Sequence, residues 1–302
     1  FVEGERTEEL VFEHAFPGDR LLFAGLINGK NIWRNQYEKS LSLLLRLRER
    51  GIETVLSGSC SFLHLPYTLR GEERLSEDYK KHFAFAEEKL SELRELSQLA
   101  EGEPGSQEAL RQNRALFSGG EGKADREVRR RCAGIRPEDY VRKPDFSERE
   151  KLQKAEFGLP LFPTTTIGSF PQTEELREMR RRRRSGELSP EEYESFLRQR
   201  IAEWIQIQEE LGLDLLVHGE FERNDMVEYF AERLRGFLFT EKAWVQSYGT
   251  RCVKPPIIWG DVSRVSPLSV KWSVYAQSLS RKPVKGMLTG PVTIIAWSFP
   301  RN

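Results

Sequence analysis

Phe-Pro-Thr-Thr-Thr-Ile-Gly-Ser-Phe, residues 162–170, is the stretch on which the fold turns. Thr164, Thr165, Thr166 and Ile167 are β-branched, and a run of stiff, branched side chains suits a pleated, half-buried strand. Gly168 ends the run and, lacking a side chain, lets a ligand or another backbone come close. Small polar groups at the carboxyl end of a strand are where α/β proteins hold substrate. An ordinary strand-to-loop turn has the same local pattern, so the neighbouring segments must decide between the two.

Working outward, apolar runs of strand length fall at residues 20–26, 53–57, 164–168, 213–218, 256–259 and 284–288. Helical patterns alternate with them. Residues 36–50 place Tyr37, Leu41, Leu44 and Leu45 at helical spacing, and 78–100 does the same with Phe85, Leu90, Leu93 and Leu96. Ser189-Pro190-Glu191-Glu192 is a helix start, with Ser as cap, Pro in the first turn and Glu192 closing a capping box. The expected buried stripe of that helix is Tyr193, Phe196, Leu197, Ile201, Trp204, Ile205 and Leu211. This alternation predicts an α/β fold with parallel strands, and pattern alone would assemble the six strands into one (β/α) barrel. Residues 101–150 differ: Gly102, Pro104 and Gly105 break the helix, and Gly119-Gly120-Glu121-Gly122 breaks it again. Charge is dense from 123 to 154, so this stretch reads as a solvated linker with some helix.

Composition excludes several classes. The 47 acidic residues match the 47 basic ones, which argues against a nucleic-acid-seeking surface. No apolar run reaches the ~20 residues of a membrane span, and no signal-peptide pattern opens the chain. Cysteines at 60, 132 and 252 make neither a disulfide framework nor a clustered metal motif, so a reducing, cytoplasmic setting is expected. Phe1 stands where an initiator methionine would, and Phe1-Val2-Glu3-Gly4 reads as the tail of a strand. Asn302 closely follows an apolar segment at 291–299, so a piece cut at both ends is expected.

Several residues could carry chemistry. Glu220 closes the strand at 213–218, where a carboxylate needs a cationic partner: a ligand's ammonium, or a structural neighbour such as Arg223. Strand alternation puts His218 on the same face as Glu220, and a lone histidine is more often a satisfied core residue than a metal ligand. Arg251-Cys252 falls in a loop leading into a strand: Arg251 can pair with a carboxylate, and Cys252 is packing unless a neighbour lowers its pKa. Arg180, Arg181, Arg182, Arg183 and Arg184 form a run that is a solvated helix end or, less simply, a polyanion patch. Cys60 with His64 is half of a metal pattern without a second half.

The wording around these residues adds a resemblance. Leu213-Asp-Leu-Leu-Val-His-Gly-Glu220, Phe221-Glu-Arg-Asn-Asp-Met-Val-Glu-Tyr-Phe230, the stretch from Trp244 to Asp261 and Lys285-Gly-Met-Leu-Thr-Gly-Pro-Val-Thr293 closely resemble the catalytic half of cobalamin-independent methionine synthase. The likeness runs from Leu159 to Trp297. Upstream, the stretches 22–35 and 56–64 look like the end of the same family's N-terminal barrel. The resemblance implies parts of two (β/α)8 TIM-type barrels: 1–100 the end of the first, 101–150 a linker, and 151–302 the first half of the catalytic barrel. A complete barrel typically takes ~250 residues, too many for two in this length.

It also implies transfer of a methyl group from 5-methyltetrahydrofolate polyglutamate to homocysteine, without cobalamin and in the cytoplasm. Ile167, Gly168, Ser169 and Glu220 would hold the homocysteine backbone, with backbone groups at Gly168 and Ser169 taking its carboxylate and Glu220 its ammonium. Arg251, Cys252 and Trp297 would line the folate site. The family's zinc ligands and catalytic histidine match no residue here and are expected beyond Asn302. The expectation is therefore no metal ligand and no catalytic residue in this chain, which alone would be inactive. A monomer with no nucleic-acid or membrane partner is expected. A catalytically dead homocysteine- and folate-binding module, a nucleic-acid binder using the arginine run and a methyltransferase with another donor remain alternatives.

Overall fold

The computed structural model describes residues 10–14, 16–118 and 124–301. The strand expected at 1–4 and the Gly119–Gly122 break lie outside the described residues. The fold is mixed α/β, and the chain divides into two units, each discontinuous in sequence. The first comprises residues 1–125, 236–262 and 295–302; the second comprises 126–235 and 263–294.

In the first unit, β1 (Leu22–Ile27) and β2 (Thr54–Gly58) pair in parallel, joined by helix α1 (Tyr37–Glu49). Leu43, Leu44 and Leu47 of α1 bury against Leu22, Ala24 and Ile27 of the strand and Leu96 of α2 (Ala86–Glu101). The stripe thus shifts from the expected one: Leu45 is exposed, and Leu43 and Leu47 face inward. The single helix expected at 78–100 is also two pieces, a turn at Glu77–Lys80 and then α2. Phe83, Ala84 and Phe85 lie between them fully buried, with Phe83 bridged to Trp33, because burial of that apolar run outweighs its helix propensity. Helix α3 (Ser106–Phe117), within the stretch expected to be solvated, packs Leu110 against Tyr37 and Leu99. Asn113 of α3 accepts the Tyr37 N–H at 3.0 Å and donates to the Asn35 carbonyl at 2.8 Å.

The first unit's other core joins Ile32, Phe83 and Phe85 to Ala243, Val245, Ile257 and Phe299. Trp33 Nε1 donates to the Pro300 carbonyl at 2.6 Å, across 267 positions of sequence.

In the second unit, helices α4 (Arg126–Ala133) and α5 (Phe146–Phe157) bury no residue. Helix α6 (Glu174–Ser185) is capped by Thr173, and α7 (Pro190–Glu210) by the expected Ser189–Glu192 box. Such a cap stabilises a helix by about 1 kcal/mol. Leu197, Ile201 and Ile205 of α7 bury with Leu176, Leu216, Phe221 and Ala276, while Leu211, past the helix end, is 72% exposed. β3 (Leu216–Val217) pairs in parallel with β8 (Val284–Lys285), the strand that follows α8 (Val270–Ser278). On β3's other side, Thr165 bridges Leu215 and Ser169 bridges Gly219, both parallel and in one register. Three extended segments therefore run side by side, as βα repetition requires. The strand expected at 256–259 extends as β7 (Ile257–Arg264), which pairs with β4 (Leu234–Leu238), both lying mainly in the first unit. Among the described residues the strands do not close into a barrel.

Candidate amino-acid site at a strand end

The first segment of the parallel set bends at Gly168. Its φ is +154°, and a Cβ built there would lie 2.7 Å from Glu220 Oε1 and 2.8 Å from Met287 Cγ. Only glycine fits so close an approach. Beside it, Ile167 is 84% exposed and Ser169 is exposed, while Gly168 is buried. The structure therefore brings Gly168 and Glu220 together at the ends of adjacent parallel segments.

The chain leaves the second segment through two consecutive left-handed residues, Gly219 at φ +89° and Glu220 at φ +57°. A non-glycine residue there costs on the order of 1 kcal/mol. The kink breaks strand alternation, so His218 does not share a partner with Glu220. Instead His218 Nε2 lies 3.1 Å from both oxygens of Glu222, and His218 is 1% exposed. His218 is thus a buried core residue in hydrogen-bond contact with the Glu222 carboxylate; its Nδ1 has no hydrogen-bond partner among the described groups. Arg223, 5% exposed, places NH1 3.4 Å from Glu220 Oε2 and Nε 2.9 Å from Glu222 Oε1. The structural partner weighed for Glu220 is present, and Glu222, which sequence reasoning passed over, is the centre of the pairing. Spacing held the signal: Glu222 stands four residues after His218, and Arg223 three after Glu220.

Burial works to raise the Glu222 pKa, but the His218 hydrogen bond and the nearby charges outweigh it and hold the carboxyl below its ordinary value. A carboxyl so depressed stabilises the fold above its unfolded pKa of about 4.3, and that contribution is lost as pH falls through the folded value. Thermal stability is therefore expected to drop on acidification below about pH 4, and Glu222→Gln to flatten that drop. Melting curves across pH check this; an unchanged acid limb in the variant would count against it.

The arginine run divides. Arg180 turns inward and donates through NH2 to Gln172 Oε1 (2.8 Å) and to the carbonyls of Phe221 (3.2 Å) and Arg223 (2.8 Å), bracing the turn that carries Glu220. Arg181 pairs with Glu178 and Glu187 at the solvated helix end. Arg251, Cys252 and Trp297 belong to the first unit. Arg251 sits in a tight turn, its N–H donating to the Tyr248 carbonyl at 3.1 Å, and Cys252 lies on β6 (Cys252–Val253), paired with β5 (Val245–Gln246). The pair thus ends a hairpin and is not a plain loop before a strand. Both are exposed, and Trp297 is 40% exposed. Cys60 closes over Gly29, its carbonyl oxygen 2.6 Å from where a Cβ would be. Among the described residues no group of three or more His, Cys, Asp or Glu side chains could hold a metal ion. No helix among them is long and apolar enough to cross a membrane.

Residues 162–302 match the family described as cobalamin-independent synthase, catalytic domain, and residues 1–52 match that family's N-terminal domain. The chain belongs to the cobalamin-independent synthases. It is 58% identical over all 302 residues to the 5-methyltetrahydropteroyltriglutamate–homocysteine methyltransferase of Streptococcus thermophilus. It is 53% identical over 306 aligned residues to the protein of that name from Bifidobacterium animalis subsp. lactis. In both cases it spans 40% of the relative's length. A solved B12-independent methionine synthase from Shewanella sp. W3-18-1 is 25% identical, with 47% of this chain and 41% of that chain covered at a TM-score of 0.39. Membership of the cobalamin-independent synthases gives the Gly168–Glu220 pair a chemical context.

Proposed function

We propose that this chain is part of an enzyme that transfers a methyl group from 5-methyltetrahydropteroylpolyglutamate to the sulfur of homocysteine, giving methionine. The observation that carries the reading is the Glu220 carboxylate lying over the bare backbone of Gly168. An α-amino acid presents an ammonium and a carboxylate on one carbon. Glu220 pairs with the ammonium, and backbone groups at Gly168 and Ser169 take the carboxylate, with no Cβ at Gly168 in the way and Ile167 alongside. The names of the relatives supply the rest of the chemistry. Arg251, Cys252 and Trp297 are assigned to the folate, the exposed indole offering an aromatic face to a pterin.

In this reading residues 151–302 form the first half of a (β/α)8 catalytic barrel, 1–100 the end of an N-terminal barrel and 101–150 the linker. The protein acts as a cytoplasmic monomer without a nucleic-acid or membrane partner. In the reaction a sulfur lone pair attacks the methyl carbon, the N5–methyl bond breaks with its electrons staying on nitrogen, and N5 takes a proton. A thiol must first lose its own proton, a task zinc performs when bound. The described residues do not fit a zinc site, so none of their roles is routed through one. What these residues do is bind homocysteine and align its sulfur. We read the 302 residues alone as binding without turnover.

Isothermal titration with L-methionine tests the site. Saturable binding is expected, displaced by L-homocysteine and absent with methionine methyl ester, and a methyl-transfer assay on the same preparation should show no product. No binding of L-methionine, or equal binding of the ester, would overturn the assignment.

A further inference from the structure

Arg223 is joined to three different groups at once. Its NH1 faces Glu220 Oε2 at 3.4 Å, its Nε faces Glu222 Oε1 at 2.9 Å, and its NH2 donates to the Met287 carbonyl at 2.8 Å. The guanidinium carbon also lies 5.4 Å and 5.0 Å from the ring centroids of Tyr229 and Phe230. A planar fork with every edge engaged has one orientation, which a lysine cannot reproduce.

This matters for the two oxygens of Glu220. Oε2 is the one facing Arg223, and Oε1 is the one turned to Gly168, 2.7 Å from its Cβ position. Met287 closes the same arrangement: its carbonyl is held by Arg223, and its side chain lies 2.8 Å from that Cβ position. One side chain therefore fixes both walls around Gly168. The charges agree. Arg223 divides one guanidinium between two carboxylates, facing Glu222 at 2.9 Å and Glu220 at the longer 3.4 Å. Glu220 has the weaker contact and the more open side chain, 12% exposed against 3% for Glu222, so it is the carboxylate that a cation as small as an ammonium can reach.

We propose that Arg223 is the positioning residue for ammonium recognition: it acts through Glu220, holding one carboxylate oxygen so that the other faces the amino group of the bound amino acid. The inference rests on the reading of the site as an amino-acid site. It assigns Arg223 no contact with the ligand.

The test uses two probes, L-methionine and its amine-free counterpart methylsulfanylbutanoate, titrated calorimetrically into the wild-type chain and into Arg223→Lys. Arg223→Lys keeps the charge and loses the fork. It should weaken L-methionine by about 10- to 100-fold, the range for one misplaced charged hydrogen bond, and leave methylsulfanylbutanoate within about threefold. Equal weakening of both probes would make Arg223 a scaffold residue, and no weakening of L-methionine would make it dispensable; either overturns the inference. If Arg223→Lys does not fold, Glu222→Gln decides. It weakens the Nε arm, and the His218 contact with it, while leaving Glu220 and Gly168 in place; it should weaken L-methionine about tenfold and leave methylsulfanylbutanoate within about threefold, and equal or no change again overturns the proposal. A wild-type chain that binds neither probe refutes the amino-acid site itself and the inference with it, before any variant is compared.

Discussion

Glu220→Gln should lower the affinity for L-methionine by about 30- to 1,000-fold, the equivalent of about 2–4 kcal/mol for removing one side of a largely buried charge pair. The amide is nearly isosteric with the carboxylate, so the site keeps its shape and loses its charge. Folding should be much less affected, because Arg223 retains Glu222 at 2.9 Å and the Met287 carbonyl at 2.8 Å. Calorimetry with L-methionine, paired with a thermal melt, separates the two effects. Unchanged affinity would mean that Glu220 serves only its ion pair with Arg223.

Gly168→Ala should be nearly as damaging, by a different physical route. The new Cβ would lie 2.7 Å from Glu220 Oε1 and 2.8 Å from Met287 Cγ. Both obstructing atoms belong to side chains, so they can move, and the stability loss should stay at about 1–3 kcal/mol including the φ of a left-handed position. The atom that must move, however, is the carboxylate oxygen assigned to the ammonium. Affinity for L-methionine should fall about 100-fold. Since both substitutions act on one carboxylate, the double variant should bind scarcely worse than Glu220→Gln alone. Additive losses would show that Gly168 serves the ligand through something other than Glu220.

How much of this was legible beforehand differs from residue to residue. Gly168 announced itself, because a β-branched run that stops at a glycine has few local explanations, and the Ser189–Glu192 cap was readable as four residues. The Glu220–Arg223 pairing was visible as spacing. What strand periodicity could not show was the pair of left-handed residues at Gly219 and Glu220, which rotates everything after them and gives His218 to Glu222. Tertiary burial hid the break at Phe83–Phe85 in the same way: local helix propensity says nothing of the bridge from Phe83 to Trp33. Arg180 was hidden by its own run, since nothing in five consecutive arginines says which one turns inward.

The division of the first unit among three stretches has a consequence for the order in which the protein is made. Its core needs Ile257 and Phe299 beside Ile32 and Phe83, and Trp33 waits for the carbonyl of Pro300, 267 positions later. At ~5–20 residues per second, a ribosome takes about 13–50 s to cover that interval. For all of that time the first hundred residues carry an apolar face without its cover. An apolar face left open on that scale is prone to aggregation, the circumstance in which holding chaperones act.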